Sequence, residues 1–158
     1  MKYTAHKLIS NGSTRKESVI NAIKYINNLK DKPENLLIHD AARPNVNNSL
    51  IAKIKSNIHK KNINYVVPYL DIDSTLKKYV GDKLITLNRN GFITTQTPQA
   101  FKYKKISKFF FKDDIITDDA QLIEIYNVKN GKYIKGDIEN FKKKNKIDLD
   151  LFKKINTN

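Results

Sequence analysis

Cysteine does not occur anywhere in the chain, so neither a disulfide nor a thiolate-held metal contributes to its fold or chemistry. A cysteine-free chain suits a reducing compartment, and the cytoplasm is the expected location. The opening stretch, MKYTAHKLIS, has no apolar run of signal-peptide length, and no later stretch approaches a membrane span. Internal repeats and Gly/Ser-rich or Pro-rich linkers are missing too. The 158 residues therefore read as a single domain (1–158), long enough for a real core.

Arginine is the scarce cation. Lysine and arginine together number 30 and the net charge is +14, yet only Arg15, Arg43 and Arg89 are arginines. Where ordinary surface charge has gone to lysine, a remaining arginine marks a place where a planar, permanently charged fork of donors is needed, as in bidentate phosphate binding. Each of the three sits in a distinctive string: NGSTRKES, HDAARP and LNRNG. The lysines, by contrast, are spread along the whole length, and aromatics fall mostly at apolar positions. That argues for a solvated basic surface and against a nucleic-acid-binding face.

The elements alternate. A short strand is expected over Lys7–Ser10, then a turn at Asn11-Gly12. Thr14 and Glu17 form a capping-box pair that opens a helix with Val19, Ala22, Ile23 and Ile26 on its apolar face. Leu36–Ile38 reads as a buried strand, Leu50, Ile51, Ile54 and Ile58 as the face of a second helix, and Tyr65–Val67 as a strand closed by Pro68. Ser74–Val80 and Lys83–Asn88 flank Gly81-Asp82, a β-hairpin signal. Helices over Lys104–Phe111 and Asp118–Tyr126 (capped by Thr117 or Asp118), a strand at Tyr133-Ile134 and a helix over Ile147–Ile155 follow. The pattern predicts an α/β fold: a doubly wound, mostly parallel sheet with a protruding hairpin arm over about residues 71–97.

Ligands of such sheets bind beyond the carboxyl ends of the strands. Asp40 and Arg43 fall there, directly after Leu36–Ile38, where a carboxylate can orient a hydroxyl or a metal and an arginine can hold a phosphate. A turn aspartate beside a surface arginine is the plainer alternative on position alone.

The string Ile38-His39-Asp40-Ala41-Ala42-Arg43-Pro44 resembles the hallmark of the 2-C-methyl-D-erythritol 4-phosphate cytidylyltransferase family. Five further segments resemble that family's motifs in the same order: Gly12–Val19, Asp73–Lys77, Asn88–Gly91 continuing into Thr95–Phe101, Ile116–Ala120, and Gly136–Lys142. The resemblance implies a Rossmann-like fold of the nucleotide-diphospho-sugar transferase type and transfer of a cytidylyl group from CTP to methylerythritol phosphate, with Mg2+ accompanying the CTP phosphates. It implies that Gly12, Ser13 and Ser18 face the cytosine end of the nucleotide, although Ser13 stands where the family usually has Asp. Asp40, Ala41, Arg43, Thr117 and Lys142 would surround the methylerythritol phosphate. Thr75, Arg89 and Thr97 would reach the site from the arm of the second subunit in a homodimer, with Arg89 and Lys142 stabilising charge in the reaction. Arg15 is expected to be structural.

One feature of the family is not found. Its glycine-rich loop, of the form AAGxGxRM, has no counterpart here, and the first of the five glycines is Gly12. An N-terminally truncated copy is the expectation, with poor CTP binding, little turnover, and apolar surface uncovered beside the strands that lack a neighbour. The competing expectations are a cytidylyltransferase for another polyol phosphate, such as ribitol 5-phosphate, and a binding remnant without chemistry.

Overall fold

The computed structural model describes residues 7–112 and 116–155. Helix α1 (Arg15–Asn27) begins as its sequence predicts, with a complete capping box: the Thr14 side chain accepts from the Glu17 N–H while Glu17 reaches back to the cap. Gly12 lies tight against that first turn. A Cβ there would stand 2.1 Å from the Glu17 Cβ, so only glycine fits.

Strand β1 (Asn35–Ile38), helix α2 (Asn48–Ile58) and strand β2 (Tyr65–Asp71) follow. The arm is a two-stranded ribbon, β3 (Lys77–Val80) and β4 (Lys83–Thr86), turning at Gly81, whose φ of 56° is the left-handed region glycine enters freely. The chain then returns through β5 (Ile93–Thr95) and β6 (Gln99–Lys102). Helix α3 (Tyr103–Ile106), a 3-10 turn (Ser107–Phe111), α4 (Gln121–Ile125), β7 (Gly131–Lys135) and α5 (Lys146–Ile155) complete the described chain.

The main sheet runs β1-β6-β2-β5, with β7 also bonded to β2. Strands β2 and β7 are parallel, and β6 lies antiparallel to both β1 and β2. So β1, β2 and β7 share one direction, as an α/β fold requires, while β5 and β6 run against them because the arm sends the chain back down the sheet. Both faces are covered. Alternation along the strands sends Val66 and Ala100 toward Leu50, Ile54 and Ile58 of α2. It sends Val67 and Phe101 the other way, onto Ile23 of α1 and onto Ile106, Phe110 and Leu122. This is the doubly wound arrangement.

Four local expectations are corrected. Residues 7–10 form no strand; Leu8 is 88% exposed, and among the described residues no neighbouring strand completes a ladder. Pro68 does not close β2 but sits within it. There β2 changes neighbour, from β6 at Tyr65-Val66 to β5 at Tyr69–Asp71, so the missing N–H interrupts neither ladder. The helix expected over Lys104–Phe111 is divided into α3 and the 3-10 turn. Helix α4 starts at Gln121, after a turn in which the Asp118 carboxylate still accepts the Gln121 N–H at 3.0 Å, the bond a helix cap would make.

Strand β1 has one neighbour among the described residues, β6. Beside its other edge an apolar groove of about 390 Å³ is lined by Val19, Ala22 and Ile26 of α1 together with Leu36–Ile38, and Leu37 is 44% exposed. Among the described residues, no strand covers this apolar groove.

Candidate active site

Four chain segments meet beyond the carboxyl ends of β1 and β7. These are the loop after β1 (residues 39–43), the β5–β6 junction around Thr97, the turn before α4 (residues 117–120), and the loop after β7 that carries Lys142. They enclose a polar cleft of about 250 Å³ lined by Asp40, Arg43, Thr97, Thr117, Lys142 and Arg15.

Buried amides hold the segments together. The Gln99 amide nitrogen donates to Asp118 at 3.0 Å while its oxygen accepts the Ala120 N–H at 3.0 Å, which fixes the 117–120 turn on β6. Asn140, fully buried, donates to the Thr97 carbonyl at 2.8 Å, and its own carbonyl accepts from Arg43 Nη1 at 2.7 Å. These bonds cross-link the cleft walls in a part-buried to buried setting, while the Asn140 side-chain oxygen is buried with no partner.

At the centre lies an ion network. Arg15 Nε donates to Asp40 Oδ1 at 2.8 Å, and the two Nη atoms donate to the two oxygens of Asp119 at 3.0 and 2.6 Å. Lys142 Nζ holds the other Asp40 oxygen at 3.1 Å. Burial alone would raise the Asp40 pKa, but the hydrogen bonds from Arg15 and Lys142 outweigh it and hold the carboxyl below its ordinary value. Asp119 is more deeply buried. There desolvation wins over the pull of Arg15, and its pKa lies above the ordinary value. Burial also costs Arg43 some of its hold on a proton, with Asp40 opposing. Its Nε has no hydrogen-bond partner in the structure.

The loop after β1 is pinned to β6. Asp40 N–H donates to Thr97 Oγ1 at 3.0 Å, Arg43 N–H closes a turn onto the Asp40 carbonyl at 2.9 Å, and Lys143 N–H reaches the Ala42 carbonyl at 2.7 Å.

A family model described as IspD, 2-C-methyl-D-erythritol 4-phosphate cytidylyltransferase, matches residues 2–157. The chain belongs to this cytidylyltransferase family. Among similar proteins, the bifunctional enzyme IspD/IspF of Pelagibacter ubique is 37% identical over 153 residues, covering 95% of this chain and 38% of that protein. The 2-C-methyl-D-erythritol 4-phosphate cytidylyltransferase of Thermosipho africanus is 36% identical over 121 residues, which cover 73% of this chain and 53% of that one. The crystal structure of the Thermus thermophilus enzyme of the same name superposes with a TM-score of 0.80 at 26% identity, over 93% of this chain and 71% of the other. The chain thus spans about half or less of the length of those two sequence relatives.

Within this cytidylyltransferase-family fold, the residues singled out from the sequence fall into four groups. Asp40, Arg43, Thr97, Thr117 and Lys142 share the cleft. Ala41 and Ser18 line the neighbouring apolar groove, which shares Arg15 and Asp40 with the cleft. Gly12 and Ser13 bind to the helix start: the Gly12 N–H donates to Ser18 Oγ at 3.0 Å and the Ser13 N–H to Glu17 at 2.6 Å. Thr75 and Arg89 lie apart, exposed at the base of the arm, where Arg89 donates to the Asp73 carbonyl and borders a separate cleft with Tyr69 and Tyr133.

Two placements depart from expectation. Thr97 is not an arm residue reaching into a second subunit; it sits beside Asp40 of its own chain, because the arm has already returned to the sheet at β5. Arg15 is more than a helix-start pairing, since it joins Asp40 to Asp119 at the centre of the network. Sequence pattern does not single out Asp119, Gln99 or Asn140, although all three stand inside the motif strings. Their signal was a polar residue in a segment otherwise bound for the core.

Proposed function

We propose that this chain carries the polyol-phosphate half of a cytidylyltransferase site, transferring CMP from CTP to 2-C-methyl-D-erythritol 4-phosphate. The convergence of Arg43, Lys142, Asp40, Thr97 and Thr117 in one polar cleft carries this reading. The reaction forms a bond from a substrate phosphate oxygen to the α-phosphorus of CTP and breaks the α–β bridging bond, releasing pyrophosphate. Two anions must approach, so the protein has to offset their repulsion and the charge that builds in the transition state. Arg43, partly desolvated, and Lys142, a point charge at the rim, suit the substrate phosphate. Asp40, kept ionised by Arg15 and Lys142, suits a substrate hydroxyl.

Ser18 and the groove beside β1 are assigned to the nucleotide side. Among the described residues, no group of three or more His, Cys, Asp or Glu is placed to hold a metal. Mg2+ therefore enters this reading as a counter-ion brought on the CTP phosphates, and no step is derived through it. The exposed apolar side chains of the arm, Tyr79, Val80, Leu84 and Ile85, support a homodimer in which Thr75 and Arg89 approach the partner's cleft. The cysteine-free composition supports a cytoplasmic setting. Among the described residues no helix is long and apolar enough to cross a membrane.

The test is pyrophosphate release from CTP with methylerythritol phosphate, run beside ribitol 5-phosphate. Whatever turnover the chain supports is expected with the first substrate and not with ribitol 5-phosphate. Binding of the polyol phosphate without pyrophosphate release would make the chain a binding module instead.

A further inference from the structure

His39 takes no part in the reaction as derived above, yet both of its ring nitrogens are engaged. Nε2 lies 2.9 Å from the Arg43 carbonyl oxygen. A carbonyl only accepts, so Nε2 must carry the hydrogen. In the neutral ring the other nitrogen, Nδ1, is then an acceptor. Nδ1 lies 3.1 Å from Thr97 Oγ1, so the Thr97 hydroxyl donates to it. The same oxygen accepts the Asp40 main-chain N–H at 3.0 Å.

A hydroxyl has one hydrogen and two lone pairs. At Thr97 the hydrogen is committed to His39 and one lone pair to Asp40. One lone pair remains for whatever enters the cleft that Thr97 lines. Thr97 can accept from a ligand there and has no hydrogen left to give.

We propose that His39 is a positioning residue: by taking the Thr97 hydrogen it turns that hydroxyl into a pure acceptor, so Thr97 reads a hydroxyl of the ligand and not its phosphate. A phosphate oxygen offers only lone pairs and would meet the Thr97 oxygen lone pair to lone pair, whereas a polyol hydroxyl supplies the missing hydrogen. The site thereby divides its labour, with Arg43 and Lys142 taking charge and Thr97 taking the carbon chain. Partial burial of the imidazole holds it neutral over most of the physiological range, which keeps the acceptor nitrogen available. This inference rests on the polyol-phosphate reading of the cleft.

Two measurements test it. In the 15N-histidine-labelled chain, long-range ring correlations should show His39 with Nε2 protonated and Nδ1 bare; a protonated Nδ1 in the neutral ring overturns the proposal. Calorimetric binding of methylerythritol phosphate and of inorganic phosphate is then compared for wild type, Thr97→Val, Thr97→Ser and His39→Ala. Thr97→Val should weaken the polyol phosphate roughly 3–10-fold while leaving inorganic phosphate unchanged, and Thr97→Ser should restore the difference. His39→Ala, with the hydroxyl free to rotate, should narrow the gap between the two ligands. Equal weakening of both ligands by Thr97→Val would mean that Thr97 donates to phosphate; the inference then fails and the polyol-phosphate reading stands. If wild type binds neither ligand, the reading of the cleft fails and takes the inference with it.

Discussion

The guanidinium of Arg15 grips both carboxylate oxygens of Asp119, at 3.0 and 2.6 Å, and its remaining nitrogen reaches Asp40 at 2.8 Å. One side chain thus ties the start of α1 to the loop after β1 and to the turn before α4. Lysine cannot make this three-way contact, since it offers a point charge in place of a fork. Arg15→Met would leave Asp119 buried without its partner. The expected loss is about 2–4 kcal/mol in urea unfolding, at the lower part of the range for a broken buried pair because Arg15 is partly exposed. The double variant Arg15→Met/Asp119→Leu should recover much of that loss. A single variant within about 0.5 kcal/mol of wild type would remove the clamp from the account.

Titration should separate the two aspartates. Burial pushes both upward, but Arg15 and Lys142 bring Asp40 below 3.8, while Asp119 stays above it. The consequences for stability have opposite signs. Asp40, with a depressed folded-state pKa, contributes stability that is present above 3.8 and lost as pH falls through its folded value. Asp119, with a raised one, contributes stability that is full below 3.8 and lost as pH rises through its folded value. Side-chain carboxyl 13C shifts followed against pH check the order, and the reverse order would discredit the network as drawn.

His39 follows the Asp40 sign. Burial, outweighing the opposing pull of its hydrogen bonds and of Asp40, sets its pKa below 6.5. Wild type should therefore lose stability relative to His39→Asn as pH falls from 6.5 through the folded value. Parallel stability profiles for the two proteins across that window would contradict this.

Lys142 opens a run of three lysines, yet it alone of them pairs with Asp40 in the cleft. Lys142→Met should weaken binding of methylerythritol phosphate about tenfold, whereas Lys144→Met should change it less than about twofold. Equal effects would reduce Lys142 to one more charge on a solvated basic surface.

On the arm, Tyr79 is 70% and Leu84 65% exposed, apolar surface that suits the proposed dimer contact. Replacing both with glutamate should convert a dimer into a monomer in sedimentation equilibrium and leave the fold of the sheet intact. A wild-type chain that is monomeric at tens of micromolar would dismiss the dimer, and with it the assignment of Arg89 to a partner's cleft.

Much of this architecture is legible in the chain because its signals are local. The Thr14–Glu17 capping box, the Gly81-Asp82 turn and the spacing of Leu50, Ile54 and Ile58 each act over a few residues and survive in the fold. The failures are non-local. Residues 7–10 have a strand-like composition but no strand neighbour among the described residues, and Pro68 is tolerated because β2 changes partner there. The motif strings likewise brought Asp40, Arg43, Thr117 and Lys142 to notice without revealing that Arg15, Gln99 and Asn140 hold them together.

The sequence by itself determined the family, the alternation of strands and helices, and the residue types suited to phosphate, because these reside in short patterns and in the economy of three arginines among 30 basic side chains. Only the tertiary structure decided how those residues act on one another. It placed Thr97 in the cleft of its own chain and Arg15 between two aspartates, and it moved the Asp40 and Asp119 pKa values in opposite directions. Burial and hydrogen-bond geometry set those properties, and both depend on segments that lie up to 104 residues apart.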